Sequence, residues 1–156
     1  MAIQAGQQAP DFSLRDTEKN IVTLSGQKGK NVLLLFYPLA FTSVCTKELC
    51  GVRDNIAFYN NMNAQVYGIS VDSLFAQGKF KAEQGINFPL LSDFNKEASR
   101  AYETIYEQFS NDMKGVSKRS AFVIDKEGVV QYAEVCPTPG DLPNFEAIQT
   151  TLNTLN

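Results

Sequence analysis

The sequence predicts an α/β fold, a central mixed β-sheet flanked by helices, with an N-terminal β-hairpin. Three observations carry this. Val32–Leu33–Leu34–Leu35–Phe36–Tyr37 and Val66–Tyr67–Gly68–Ile69–Ser70–Val71 are near-continuous apolar runs, the pattern of strands buried on both faces. Leu49, Val52, Ile56 and Tyr59 recur at helical spacing between them, and Phe145, Ile148, Leu152 and Leu155 do so near the end. Each set marks one face of a helix. The order strand, helix, strand, helix, then hairpin and helix, implies a mixed sheet covered by helices.

Taken in order, Phe12–Ser13–Leu14 and Ile21–Val22–Thr23–Leu24 flank a polar stretch and read as the N-terminal hairpin. Pro38 closes the first buried strand. The helical face from Leu49 to Tyr59 follows as one helix. After the second buried strand, Asp72 or Ser73 can cap a helix carrying Leu74, Phe75 and Phe80. Beyond Phe88–Pro89–Leu90–Leu91 a short helix is expected around Lys96–Tyr102. Residues 103–118 have no clean period and read as loop with a helical turn. Ala121–Ile124 and Val129–Ala133 flank the turn-rich Asp125–Lys126–Glu127–Gly128 and form a second hairpin.

A chain of 156 residues suits one domain, 1–156, with no repeat or linker-like shift in composition. At that size a fold buries roughly 70% of its unfolded surface and needs no disulfide staples. The formal charge of −3 offers no basic excess for nucleic acid or an anionic membrane. No basic segment precedes an apolar run at the N-terminus and no run of 18 apolar residues occurs, so neither a secretory signal nor a membrane span is expected. Three cysteines do not resemble a secreted disulfide framework, and a cytoplasmic location is expected. The chain has no histidine. That excludes Cys–His and Ser–His catalytic pairs and any His-containing zinc site, and three cysteines cannot complete a Cys₄ site. No metal or cofactor is expected, and any thiol chemistry must be activated without imidazole.

The stretch that carries chemistry is Tyr37-Pro38-Leu39-Ala40-Phe41-Thr42-Ser43-Val44-Cys45-Thr46-Lys47-Glu48-Leu49-Cys50. It joins a buried strand to a helix, where open α/β sheets place ligands. Thr42 or Ser43 is a natural N-cap. Cys45 then falls in the first helical turn, where free N–H groups and the macrodipole favour an anion, and such turns are recognised settings for reactive cysteines. A lone cysteine there would otherwise be a small buried apolar residue.

Pro38-x-x-x-Thr42-x-x-Cys45 is similar to the PxxxTxxC motif of the peroxiredoxins, thiol peroxidases of the thioredoxin-fold superfamily. Ala9-Pro10-Asp11-Phe12, Tyr67-Gly68-Ile69-Ser70-Val71-Asp72, Phe88-Pro89-Leu90-Leu91-Ser92-Asp93 and Arg119-Ser120-Ala121-Phe122-Val123-Ile124-Asp125 resemble further segments of that family, in the same order. The resemblance implies a thioredoxin-like fold and assigns roles. Cys45 would be the peroxidatic nucleophile, with Thr42 holding thiolate and peroxide. Arg119 would add a permanent positive charge. Pro38 would shield the sulfur, and Glu48 would orient Arg119; standing alone, Glu48 reads equally as a solvated helix charge. The substrate would be hydrogen peroxide or a small organic hydroperoxide, and the reductant thioredoxin or a similar dithiol. The protein would be a monomer or homodimer.

Cys45-x-x-x-x-Cys50 followed by Gly51 resembles the bacterioferritin-comigratory, or Q-type, subfamily, in which two cysteines form an intramolecular disulfide through a sulfenic acid. Cys50 would then be the resolving cysteine. Residues five apart on an ideal helix have Cα atoms ~8.7 Å apart and point ~140° apart, whereas a disulfide needs roughly 7 Å or less. Such a pairing requires the first turns of the helix to unwind. The loop Pro38-Leu39-Ala40-Phe41-Thr42 is closer to the alkyl hydroperoxide reductase E-type group, many of which use one cysteine and an external thiol. Cys136 reads as a small residue ending a strand, or as an alternative resolver reaching Cys45 from elsewhere. A peroxide sensor or redox-relay module is a further reading. A thioredoxin-like dithiol oxidoreductase fits least, for want of Cys-x-x-Cys.

Overall fold

The computed structural model describes residues 3–155, so Met1, Ala2 and Asn156 of the expected 1–156 domain lie outside the described residues. Along the chain run β1 (Ser13–Asp16), β2 (Ile21–Thr23), β3 (Asn31–Phe36), α1 (Ser43–Asp54), α2 (Ile56–Asn61) and β4 (Ala64–Ser70). Then come α3 (Leu74–Gln84), β5 (Leu90–Ser92), α4 (Glu97–Ala101), β6 (Ser120–Ile124), β7 (Val130–Val135) and α5 (Phe145–Thr154). The strands form one seven-stranded sheet in the order β2-β1-β5-β4-β3-β6-β7. β3, β4 and β5 are parallel neighbours, while β1, β2, β6 and β7 pair antiparallel. This is the mixed α/β sheet with an N-terminal hairpin that the sequence predicts.

β3 lies inside the sheet between β4 and β6: past Asn31 its side chains are apolar on both faces, and every one of its residues is buried. Leu33 and Leu35 point to one core with Leu49 and Val52 of α1 and Ile148 and Leu152 of α5. Val32, Leu34 and Phe36 point to the other with Phe12, Leu14 and Tyr102. This two-residue alternation is what the pleat requires.

Register brings chemistry to one end of the sheet. Phe36 of β3 lies opposite Ile69 of parallel β4 and opposite Ser120 of antiparallel β6. The loop leaving β3, the residues after β4 and the residue before β6 therefore meet at one edge. Those are the segments that contain Cys45, Asp72 and Arg119.

Two elements differ from expectation. The helix expected through Tyr59 breaks at Asn55, whose φ of −118° and ψ of 19° end α1 before α2 begins. Asp and Asn are weak helix formers, and the Asp54–Asn55 pair yields to a tight turn. Leu90–Ser92 forms a strand too short to carry a pattern of its own, placed by pairing with β4 and β1. Residues 103–118 are the expected loop with a helical turn, a 3-10 turn at Ser110–Asp112, joined by an isolated bridge between Ile105 and Ser117. Ser73, not Asp72, caps α3, accepting from the Ala76 N–H at 3.1 Å. No helix of the described residues is long and apolar enough to cross a membrane.

Gly68 of β4 sits where α1 approaches the sheet. A Cβ there would meet Leu90 Cδ2 at 2.7 Å and Tyr37 Cε1 at 3.4 Å, with Leu49 Cδ2 at 3.7 Å. Leu90, Tyr37 and Leu49 are all fully buried, so none can swing away freely. Gly68→Ala is expected to lower stability by about 1–3 kcal/mol, as overpacking of a dense core does. Urea unfolding of the pure variant measures this, and unchanged stability would mean that the contact is loose.

Candidate active site

Cys45 lies in the first turn of α1 with 1% of its surface exposed. The first bond of the helix runs from the Thr46 N–H to the Thr42 carbonyl at 2.9 Å, so the amides of 43–45 have no acceptor within the helix. The sulfur reaches a cavity of about 310 Å³ walled by Pro38, Leu39, Thr42, Phe109 and Met113.

Arg119 immediately precedes β6 and its side chain is 2% exposed. Nη2 donates to Cys45 Sγ at 3.2 Å and Nη1 to Glu48 Oε1 at 2.7 Å. Nε and Nη2 also donate to the Pro139 carbonyl at 3.2 and 3.0 Å. Glu48 is wholly buried, one helical turn after Cys45 on the same face. That disposes of the solvated-charge reading of Glu48. Its Oε2 has no hydrogen-bond partner among the described residues. Burial pushes the Glu48 carboxyl up to about 7, against the pull of the Arg119 charge and hydrogen bond. One guanidinium here faces two acidic groups, Glu48 and Cys45. Burial works to lower the pKa of Arg119, but the charges of Glu48 and Cys45 outweigh it and leave the value raised.

Thr42 occupies the N-cap position of α1 but its hydroxyl caps nothing among the described residues. The hydroxyl donates instead to the Leu39 carbonyl at 2.8 Å. The next residue back, Phe41, has φ of +70°, a left-handed backbone unusual for an aromatic residue. Its ring packs against Phe80 of α3 at 5.3 Å between centroids.

Cys50 is not in the cavity. It lies further along the unbroken α1, and its thiol contacts Gln84 Oε1 at 3.6 Å. Cys136 is buried behind Arg119, its N–H donating to the Arg119 carbonyl at 2.9 Å. Burial, with the charges of Glu134 and Glu48, pushes the Cys136 thiol up to about 12 despite Arg119. It is therefore a poor nucleophile near neutral pH. All three cysteines are free thiols. Among the described residues no group of three or more His, Cys, Asp or Glu could hold a metal ion.

Sequence reasoning missed two contributors. The Pro139 carbonyl fixes Arg119, and the Asp72 carboxylate accepts the N–H of Ala40 at 2.8 Å. The turn-rich Pro137-Thr138-Pro139-Gly140 was the available signal for the first; nothing local marks the second.

A sequence profile described as the AhpC/TSA family matches residues 5–133. Alkyl hydroperoxide reductase E of Mycobacterium tuberculosis is 39% identical over 143 residues, spanning 90% of each chain. Among solved structures, peroxidoxin BcpB of Mycobacterium tuberculosis superposes with a TM-score of 0.86 at 29% identity, covering 99% of both chains. Peroxiredoxin Q of Xanthomonas campestris gives 0.83 at 25% identity, covering 98% of this chain and 97% of that one.

The buried pair makes a pH prediction. An unfolded Glu48 titrates near the ordinary 4.5, below its folded value of about 7. The folded state therefore holds an extra proton between those values. The contribution of Glu48 to stability is complete below 4.5 and is lost as pH rises through about 7. Glu48→Gln cannot titrate and is expected to remove this component. Urea unfolding at stepped pH should show wild-type stability falling relative to the variant across that window; a constant difference would contradict the assignment.

Proposed function

The chain belongs to the AhpC/TSA family, the peroxiredoxins, and is a thiol-dependent peroxidase; we propose that Cys45 is its attacking nucleophile. The Cys45 thiolate attacks the terminal peroxide oxygen. The O–O bond breaks, the sulfur becomes a sulfenic acid, and the leaving oxygen departs as water or an alcohol once protonated. The observation that carries this reading is the 3.2 Å contact of Arg119 Nη2 with Cys45 Sγ while the rest of the guanidinium is held by Glu48 and Pro139. Arg119 supplies a fixed counter-charge to the thiolate and then to the oxygen on which charge develops. The Thr42 proton is committed to Leu39, which leaves its oxygen free to accept a hydrogen bond from the peroxide. Pro38 walls the cavity without presenting an N–H.

Hydrogen peroxide and small organic hydroperoxides fit this reading, because Leu39, Phe109 and Met113 give the cavity apolar walls. Cys50 resolves the sulfenic acid as an intramolecular disulfide, and thioredoxin or a similar dithiol restores the thiols. Resolution requires α1 to unwind between Cys45 and Cys50, since one continuous helix holds both. A one-cysteine cycle with an external thiol is the second reading. The placement of Cys50 outside the cavity, against Gln84, favours it. A reducing cytoplasm, which supplies thiol reductants, suits this cycle.

Steady-state peroxide consumption with a thioredoxin system tests the cycle. Cys45→Ser should abolish it, and Arg119→Ala should slow peroxide attack about 10²-fold. An active Cys45→Ser would refute the nucleophile. Cys50→Ser should leave the first attack unchanged and impair recycling. Thiol trapping and peptide mapping of the oxidised chain should return a Cys45–Cys50 disulfide. Its absence, with turnover intact, selects the one-cysteine cycle. Stoichiometric oxidation without turnover selects a relay.

A further inference from the structure

Asp72 stands outside the cavity yet bonds to the loop that builds it. Oδ2 accepts the Ala40 N–H at 2.8 Å and the Ser70 hydroxyl at 2.7 Å. Ser70 Oγ accepts from Gln77 Nε2 at 2.9 Å, and Gln77 Nε2 also reaches the Leu91 carbonyl at 2.8 Å. The Asp72 carbonyl accepts the Ser92 hydroxyl at 2.6 Å. The carboxylate is thus tied to β4, α3 and β5, the rigid body of the fold. Ser70 and Gln77 are fully buried, so this backing has no room to drift.

What Asp72 holds is a segment with a strained backbone. Ala40 is buried and directly precedes the left-handed Phe41, which precedes Thr42 and α1. A strained backbone persists only where its surroundings over-determine it. Three contacts do so here: Asp72 on Ala40, the Phe41 ring on Phe80, and the Thr42 hydroxyl on Leu39. The Asp72 contact is the only one of the three with an ionisable carboxylate acceptor, the stronger class of hydrogen bond.

We propose that Asp72 is a positioning residue for the peroxidatic step: by pinning Ala40 it keeps Phe41 left-handed and aims Thr42 and Cys45 at the cavity. The inference rests on Cys45 being the attacking sulfur, but its first readout does not. Without the acceptor, the buried Ala40 N–H loses its partner and the loop is free to relax toward an ordinary backbone.

The experiment uses the full chain. Exchange of the Ala40 amide is followed by NMR, and the rate of Cys45 oxidation by hydrogen peroxide is followed by quenched-flow trapping of the sulfenic acid with dimedone. Asp72→Ala should speed Ala40 exchange and slow oxidation, each about tenfold, the loss expected of one charge-assisted bond. Asp72→Asn keeps an oxygen acceptor and should recover most of both. Ser70→Ala, which removes the backing of the carboxylate, should shift both in the same direction by a smaller factor, and it serves if Asp72→Ala fails to fold. Wild-type oxidation rates in Asp72→Ala, unchanged Ala40 exchange, no response to Ser70→Ala, or Asp72→Asn as slow as Asp72→Ala would each overturn the proposal. A wild-type chain that peroxide does not oxidise at Cys45 would instead overturn the nucleophile assignment, and the exchange measurement would still decide whether Asp72 pins the loop.

Discussion

A buried guanidinium is the constraint around which this molecule is arranged. Removing a cation from water costs several kcal/mol unless its donors are satisfied. Arg119 meets that condition with the Glu48 carboxylate and the Pro139 carbonyl, and spends its remaining contact on the Cys45 sulfur. Because the guanidinium is planar and its donors form a fixed fork, anchoring two of its edges orients the third. A lysine with the same charge would have no such geometry to transmit. The chain contains no histidine, so this fork supplies what an imidazole supplies at many thiol sites, a cation at the sulfur, without a proton that comes and goes near neutral pH.

The fork acts only because the sheet brings its partners to one edge. Arg119 precedes Ser120, which lies opposite Phe36, the last residue of β3. Cys45 and Glu48 arrive on the first turns of the helix that follows β3. A shift of register by one residue would turn every side chain of β6 to the opposite face. The unequal sizes on the two faces resist such a shift: Phe122 packs edge-on against Phe36 and Tyr102 on one, while the small Ala121 lies on the other. Gly68 then lets α1 settle close enough to the sheet for Leu49 to fill the space beside Tyr37. Ordinary core packing therefore sets the distance between guanidinium and sulfur.

Legibility in the sequence followed the range of the interactions. Cys45, Thr42 and Pro38 share one loop–helix junction, where the helix start marks Cys45 and the resemblance of their spacing to a family motif suggests the chemistry. Arg119 was readable only through its resemblance to a family segment, because it lies 74 residues from Cys45 in the chain. Glu48 was ambiguous for a physical reason: helical spacing places it on the Cys45 face, but whether that face meets solvent is decided by β6. The Pro139 carbonyl and the Asp72 carboxylate escaped notice because a backbone acceptor has no sequence signature and a bond across 32 residues has no local one. The break at Asn55 and the brief β5 were lost in the same way, one to a turn and the other to pairing with distant strands.

The proposed cycle sets two demands on α1 that oppose each other. Attack needs the first turn intact, with Cys45 against Arg119. Resolution by Cys50 needs that turn undone. Gly51 bears on the balance. A side chain there would meet nothing within 4 Å, and its φ lies outside the left-handed range. Neither packing nor a turn explains a glycine at that position. What remains is its effect on the helix, where glycine costs about 1 kcal/mol relative to alanine. That cost falls on the residue directly after Cys50, at the border of the segment that must open. The contacts of Arg119, Asp72 and Phe41 oppose it from the other side. The helix is thus held from its N-terminal end by tertiary bonds and weakened from within by its own backbone, which is the arrangement a segment needs if it is to be firm during one half-reaction and released for the other.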